Sequence, residues 1–374
     1  MERVLKRGSR GAILSPESIL SSTREKFQQV LKEARPLFGW FSLTESCDLR
    51  CRYCFAGSSR PLEEELTTQE VLQVVDNIAE AGTEAIVFGG GEPTLRKDLV
   101  EIVAHASRRM AVAINTNGQL MEPESVRRLA RAGLSQLKVS VDGLQDLHDW
   151  NRGAGTFEKA LNALKEARAA GIPRVILIAT ISQLNYPQLA EMVRLAMEQG
   201  VDFSAVEFLP LGRGTSGQDW GLTPEQTRDM QRYLTEARRL HGSKRIIFEN
   251  RYIIAEDEHA QRICADPQRP TGVFDFCVGC PNGIYQYCIN AEGKVTAGDI
   301  TTLEIGDLKR ERLGEIWRNS EVLHLLRDRE QLKGKCGECE YRYICGGCRR
   351  RAYTYTGDLM AEDPGCWRSP LRGD

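Results

Sequence analysis

Ser46-Cys47-Asp48-Leu49-Arg50-Cys51-Arg52-Tyr53-Cys54-Phe55 is the stretch on which the reading of this chain turns. Three thiols spaced CxxxCxxC suit three irons of a cubic cluster. Iron–sulfur cubanes ordinarily take four cysteines, and an iron reacts only where a protein ligand is withheld. No further cysteine follows until Cys264. The fourth iron is then left open for chemistry, and Tyr53 sets an aromatic ring beside whatever binds there. A structural zinc knuckle would need four closed ligands, and no His or Cys nearby completes such a set.

Just ahead of this loop stands a short apolar run at Trp40. Similar runs recur at Ile86, Val112, Val139, Ile176 and Val206, separated by amphipathic stretches such as Thr68 to Glu80 and Phe157 to Ala169. Strand, turn and helix alternating in this way predict an α/β fold with a parallel sheet. The number of units predicts a partial (β/α)6 barrel, open on one side, over residues 36–240. Residues 1–35 read as a charged, partly helical N-terminal extension that packs on the barrel. Residues 241–374 read as a small Cys-rich C-terminal extension.

At 374 residues the chain holds one large α/β domain plus an appendage. A formal charge of -2 gives no reason to expect nucleic acid or an anionic membrane as partner. The N-terminal residues, MERVLKRGSR, have no apolar run after their basic ones and do not read as a secretion signal. No apolar segment approaches the length that spans a bilayer. Twelve cysteines in such a chain point to the reducing cytoplasm, and to metal ligation rather than disulfides.

In parallel α/β folds reactive groups gather at the C-terminal ends of strands, and the remaining motifs fall there in turn. The second run ends in Gly89-Gly90-Gly91-Glu92-Pro93. Gly90 and Gly91 let backbone approach a ligand closely, and Glu92 offers a carboxylate to an ammonium. The third run ends in Asn115-Thr116-Asn117-Gly118 and the fourth in Ser140-Val141-Asp142-Gly143; for Asn115 and Asp142 plain turn capping is the competing reading. His148 reads as a structural member of its turn. After the sixth run comes Leu209-Pro210-Leu211-Gly212-Arg213-Gly214.

CxxxCxxC followed one strand later by GGGEP resembles the radical SAM superfamily. The resemblance implies a 4Fe-4S cluster on Cys47, Cys51 and Cys54 that binds S-adenosylmethionine through its amino and carboxylate groups. It places Tyr53 beside the open iron and Gly90, Gly91 and Glu92 at the methionine amino group. Asn115 joins the cofactor site, with Ser140 and Asp142 near the ribose and methionine end. Arg152 pairs with the carboxylate, which a planar guanidinium suits, and Leu209 reaches the adenine through backbone atoms. The chemistry implied is homolytic cleavage of the sulfonium by an electron from a reducing donor of flavodoxin or ferredoxin type. The resulting 5'-deoxyadenosyl radical then removes hydrogen from an unactivated C–H bond, while the protein orients the cofactor and excludes water.

Near the C-terminus stand Cys336, Cys339, Cys345 and Cys348, then Cys366. Two CxxC pairs by themselves also fit a zinc ribbon. Behind a radical SAM loop they resemble the SPASM extension, which carries auxiliary iron–sulfur clusters. That resemblance implies an outer cluster on Cys336, Cys339, Cys345 and Cys366, with Cys348 reaching the inner one. At the inner site the chain departs from the pattern of a Cys followed by Gly-x4-Cys. Cys280 and Gly293 satisfy it, but the closing position is Gly298; Gly283 to Cys288 has the spacing without the upstream cysteine. Cys277, Cys280, Cys288 and Cys348 are the expected inner ligands, Cys264 is a substitute or a buried thiol, and a smaller or absent inner cluster stays open. Asp299, beside the missing ligand, reads as a catalytic base or as a strand-end turn, and the lost cysteine speaks against sulfatase maturation. Trp317 reads as core.

Three functions follow from the resemblance. The first is maturation of a ribosomally made peptide by crosslink, thioether, epimerisation or decarboxylation. The second is a dehydrogenase, epimerase or decarboxylase of a small molecule such as a sugar, an aminocyclitol or a tetrapyrrole. The third, a non-catalytic electron carrier, would have no use for GGGEP.

Overall fold

Each of the six apolar runs forms a strand in the computed structural model, which describes residues 16–242, 245–248, 279–299 and 303–368. They are β1 (Phe38–Ser42), β2 (Ala85–Gly89), β3 (Ala111–Thr116), β4 (Gln136–Ser140), β5 (Arg174–Ile181) and β6 (Asp202–Glu207). Each pairs in parallel with the next. Side chains alternate across a strand. One set, including Ile86, Phe88, Val112, Ile114, Leu137, Val139 and Leu177, is buried in the apolar core. The other set, including Trp40, Asn115, Lys138 and Ser140, faces the opposite, inner side.

The crossover helices form where apolar spacing and caps agree. Helix α1 spans Pro16–Lys32 and α2 spans Thr68–Glu80. In α2, Val71, Val74, Val75 and Ile78 recur at helical spacing and are buried. Its N-terminus is closed reciprocally: the Glu70 N–H donates to Thr67 Oγ1 (3.4 Å) and the Thr67 N–H to Glu70 Oε2 (2.8 Å). Helices α3 (Leu99–Ala106), α4 (Pro123–Arg131), α5 (Gln145–Arg152), α6 (Thr156–Ala169), α7 (Leu189–Glu198) and α8 (Pro224–His241) follow.

The described residues form one sheet that continues past the six expected strands at both edges. β7 (Ile246–Phe248) adds to β6, and β8 (Gln286–Ile289) adds in parallel to β1, followed by antiparallel β9 (Lys294–Thr296) and β10 (Glu304–Asp307). The sheet therefore crosses the 240/241 boundary and sets Cys288 opposite Trp40. Strands this short carry too little alternation to be read from sequence. Helix α1 packs its Phe27 and Val30 against Ile284, Tyr341, Tyr343 and Ile344 of the C-terminal region, while Arg35 just after it pairs with Glu84 of the barrel (2.9 Å). Trp317 is buried in the main core as expected, and its Nε1–H donates to Ala34 O (3.3 Å).

Candidate active site

Two backbone hydrogen bonds pin the start of the cysteine loop: Gly91 N–H to Thr44 O (2.7 Å) and Glu92 N–H to Ser46 O (2.8 Å). A Cβ on Gly90 or Gly91 would collide with the carbonyl oxygens of Thr44 or Ser46, and Gly90 has φ +127°. The glycines of GGGEP thus bring backbone against backbone and fix where Cys47 begins.

Glu92 is fully buried and both its oxygens are occupied. Oε1 accepts from Thr94 N (3.1 Å), Thr94 Oγ1 (2.5 Å) and Thr116 Oγ1 (2.8 Å); Oε2 accepts from Asn117 N (2.7 Å). Burial raises its carboxyl above the usual range, against the pull of those bonds. Asn117 in turn donates to Asp48 Oδ1 (2.7 Å) inside the cysteine loop. Glu92 therefore organises the ends of β2 and β3 around the loop.

Arg213 clamps the loop from the other side. Its Nε donates to Cys51 O (2.9 Å), its Nη1 to Gly57 O and Ser58 O (2.8 Å each), and its backbone N–H to Cys54 O (2.9 Å). Gly212, at φ +55°, permits this because a Cβ would strike the Cys54 and Phe55 carbonyls. Arg52 N–H donates to Asn151 O (3.0 Å) and Arg52 Nε to Trp150 O (2.8 Å), with the guanidinium over the Trp150 ring. Tyr53 meets Phe208 edge-on at 5.7 Å, and Phe208, Trp220 and Trp150 continue the aromatic contact. Sequence reading gave this loop an adenine contact and missed Arg213 and Phe208; the only signal was their place next to LPLG. The Leu209 carbonyl accepts from Leu211 N (2.8 Å) in a tight turn.

Asp142 is buried at the end of β4. Oδ2 accepts from Arg152 Nε (2.5 Å) and Asn151 Nδ2 (3.2 Å), and Oδ1 accepts from Thr180 N (2.9 Å). Burial opposes the charge of Arg152, but Asp142, Cys51 and Tyr53 beside it outweigh burial and raise its pKa. Among the described residues the Nη groups of Arg152 make no hydrogen bond, so they remain for a ligand anion. Burial, then Asp142, holds the Tyr53 phenol well above its ordinary value. Burial also pushes the Cys47 thiol up to about 11 and raises Cys51, which Arg152 partly offsets. Such thiols become thiolates when iron binds them. Asn115 and Ser140 lie on the inner face, and Asn115 Oδ1 is buried with no partner among the described residues.

His148 is structural. Its Nδ1 accepts the Asp142 N–H (3.2 Å), which requires that nitrogen to be unprotonated. Burial, then Arg152, lowers its pKa to about 4. A folded value below the unfolded value of about 6.5 means that stability is full above pH 6.5 and is lost as pH falls toward 4. Urea unfolding is expected to lose about 2 kcal/mol through this group between pH 7 and pH 5. That part of the slope should be absent in His148→Gln; an unchanged slope would refute the assignment.

In the C-terminal region, burial raises the Cys345 thiol, and Cys336, Cys366 and Cys339 lie close enough to raise it further. These are the four expected outer ligands. Arg349, fully buried, donates to Leu359 O (2.9 Å), Ala361 O (2.7 Å) and Cys336 Sγ (3.7 Å). Three of the four expected inner ligands lie among the described residues. The Cys280 N–H bonds Cys345 O (3.4 Å), Cys288 sits by Asp299 and Arg350, and the Cys348 N–H donates to Asp363 Oδ2 (2.6 Å). Cys264 and Cys277 lie outside the described residues. Among the described residues, the cysteines form no disulfide, and no three His, Cys, Asp or Glu side chains close around a single ion.

The space a residue 298 side chain would need is filled by Asn282. Asn282 Nδ2 donates to Asp299 Oδ1 (3.0 Å), and Asp299 Oδ2 pairs with Arg350. As placed, the Asp299 carboxylate is an ion-pair partner. With φ +68° at Gly298, Gly298→Cys is expected to lower stability by about 1–3 kcal/mol and to leave iron content unchanged. An added iron in that variant would show that Asn282 yields.

The sequence profile of the radical SAM superfamily matches residues 41–196, and that of an iron–sulfur cluster-binding domain, SPASM, matches residues 280–340. An AdoMet-dependent heme synthase of Methanosarcina barkeri is 33% identical over 350 residues, which are 91% of this chain and 98% of that one. The chain belongs to the radical SAM superfamily. A second relative, a PqqA peptide cyclase of Bradyrhizobium diazoefficiens, is 31% identical over 90% of this chain and 87% of its own. The crystal structure of Streptococcus suis SuiB bound to S-adenosylmethionine shares the fold, with TM-score 0.70 and 18% identity over 92% of this chain and 81% of that one. This radical SAM protein is an enzyme, and its cofactors are 4Fe-4S clusters and S-adenosylmethionine. The residues present fit them: a loop of three unpaired thiols, the unused Arg152 Nη groups and the orphaned Asn115 Oδ1 converge at one end of the sheet. No described helix is long and apolar enough to cross a membrane.

Proposed function

We propose that this enzyme abstracts a hydrogen atom from a side chain of a tetrapyrrole. The observation that carries the reading is the likeness to a heme synthase along 98% of that protein's length. Cys47, Cys51 and Cys54 hold the cluster. Arg152 Nη groups take the methionine carboxylate, held in place by Asp142, and Asn115 Oδ1 accepts a hydrogen bond from the bound cofactor. Arg213 and Glu92 keep the loop in register from opposite sides, and the Tyr53–Phe208 contact keeps water from it. When bound, cluster and S-adenosylmethionine supply a 5'-deoxyadenosyl radical, with the electron drawn from a flavodoxin- or ferredoxin-type donor in the cytoplasm.

The test is isotopic. With protein reconstituted anaerobically, deuterium on the side chains of an iron porphyrin carrying propionates should appear in 5'-deoxyadenosine. Product without deuterium would reject hydrogen abstraction from those positions. The second reading, peptide maturation, has support in the likeness to a peptide cyclase; transfer from a deuterated peptide, with none from the porphyrin, would establish it instead.

A further inference from the structure

Lys138 stands in the middle of β4, between Leu137 and Val139, which are buried in the core. Alternation turns it to the inner face, where β3 sets Asn115 directly opposite it. It lies two residues before Ser140, about 6.6 Å along the strand from the end where the cofactor residues gather. Among the described residues it makes no hydrogen bond and no ion pair. Burial and the like charge of Arg174 lower its pKa to about 8, and Arg174 itself is matched by Asp202 at 2.7 Å. Its side chain is only partly buried, and its ammonium opens into the space lined by the inner face, where it is available to a substrate anion.

Asn115, opposite Lys138, serves the cofactor, and a further neighbour on the same face says what shape the partner of Lys138 has. Three strands from Lys138, the Trp40 indole lies against Gly89, its Cζ2 2.9 Å from where a Cβ would stand. At about 4.8 Å between strands, the backbones of β1 and β4 lie roughly 14 Å apart along the sheet, and the indole leans from β1 over β2 into that interval. A flat apolar body with an acidic arm fits on that face between the two side chains.

We propose that Lys138 anchors a carboxylate of the substrate on the inner face of the sheet, below the cofactor, with Trp40 under its flat apolar part. The flat part rests on the tetrapyrrole reading above; the ammonium itself requires only a carboxylate. The complex is completed by one charge-assisted hydrogen bond and no covalent step.

The experiment titrates the reconstituted enzyme, with S-adenosylmethionine present, against three probes, each as the free acid and as its methyl ester: coproporphyrin, an acidic peptide and benzoate. Wild type is compared with Lys138→Met and Lys138→Arg. Removing an unpaired, partly buried charge strands no partner, and thermal melting checks this. The expected result is free-acid binding weakened by at least about tenfold in Lys138→Met, largely kept in Lys138→Arg, with the ester's weaker binding unchanged. Porphyrin binding indifferent to Lys138 would overturn the anchor while leaving the tetrapyrrole reading in place. Lys138-dependent binding of the peptide alone would keep the anchor and overturn the tetrapyrrole. Loss of S-adenosylmethionine affinity by the same factor, or no difference with any acid, would also overturn the anchor.

Discussion

Cys51→Ala is expected to lose reductive cleavage of S-adenosylmethionine altogether and to retain its fold. Cys51 is the central thiol of the loop, and its carbonyl, not its sulfur, carries the clamp from Arg213. The variant therefore keeps the hydrogen bonds that shape the loop and loses only a ligand. About four irons should disappear from the reconstituted protein, the auxiliary iron staying behind. Iron analysis with electron paramagnetic resonance measures the first part, and 5'-deoxyadenosine release the second. Cleavage that survives in Cys51→Ala would mean that the site cluster is held elsewhere.

Asp142→Ala should be the most damaging single change that touches no iron ligand. It strands Arg152, whose side chain is only 13% exposed, and leaves the Thr180 N–H and Asn151 amide without an acceptor. Removing one partner of a buried ion pair costs about 3–5 kcal/mol. Urea unfolding should show that loss, and S-adenosylmethionine binding should fall with it because Arg152 is no longer aimed. Asp142→Ala/Arg152→Met removes both charges and should recover part of the stability but none of the binding. If the single variant unfolds like wild type, the pair is not what holds β4 to α5.

Much of this is legible in the sequence. Apolar runs marked β1 to β6, and apolar spacing marked α2 over Thr68 to Glu80. The cysteine spacing gave the chemistry. What escaped was long-range. Nothing near Glu92 in sequence says that Thr116 and Asn117 will donate to it, and nothing in Arg213 says that it will reach back to Cys51. Asp142 was legible as a turn or as a ligand, and its carboxylate proves to serve the backbone of Thr180 and the guanidinium of Arg152. β8 is four residues long, so its pairing with β1 comes from tertiary packing and not from its own pattern.

The pairing of β1 with β8 also dictates an order of assembly. β1 is held between β2, reached early in synthesis, and residues 286–289, which emerge far later. Until then β1 is an open edge on the nascent chain, with the cysteine loop hanging from its end. Closure of so distant a contact is slow because the intervening chain must first be ordered. Iron delivered before that moment meets a loop with one side unsupported; iron delivered after it meets a finished socket. A chain truncated before residue 286 would leave β1, and the loop that follows it, without the neighbouring strand on that side.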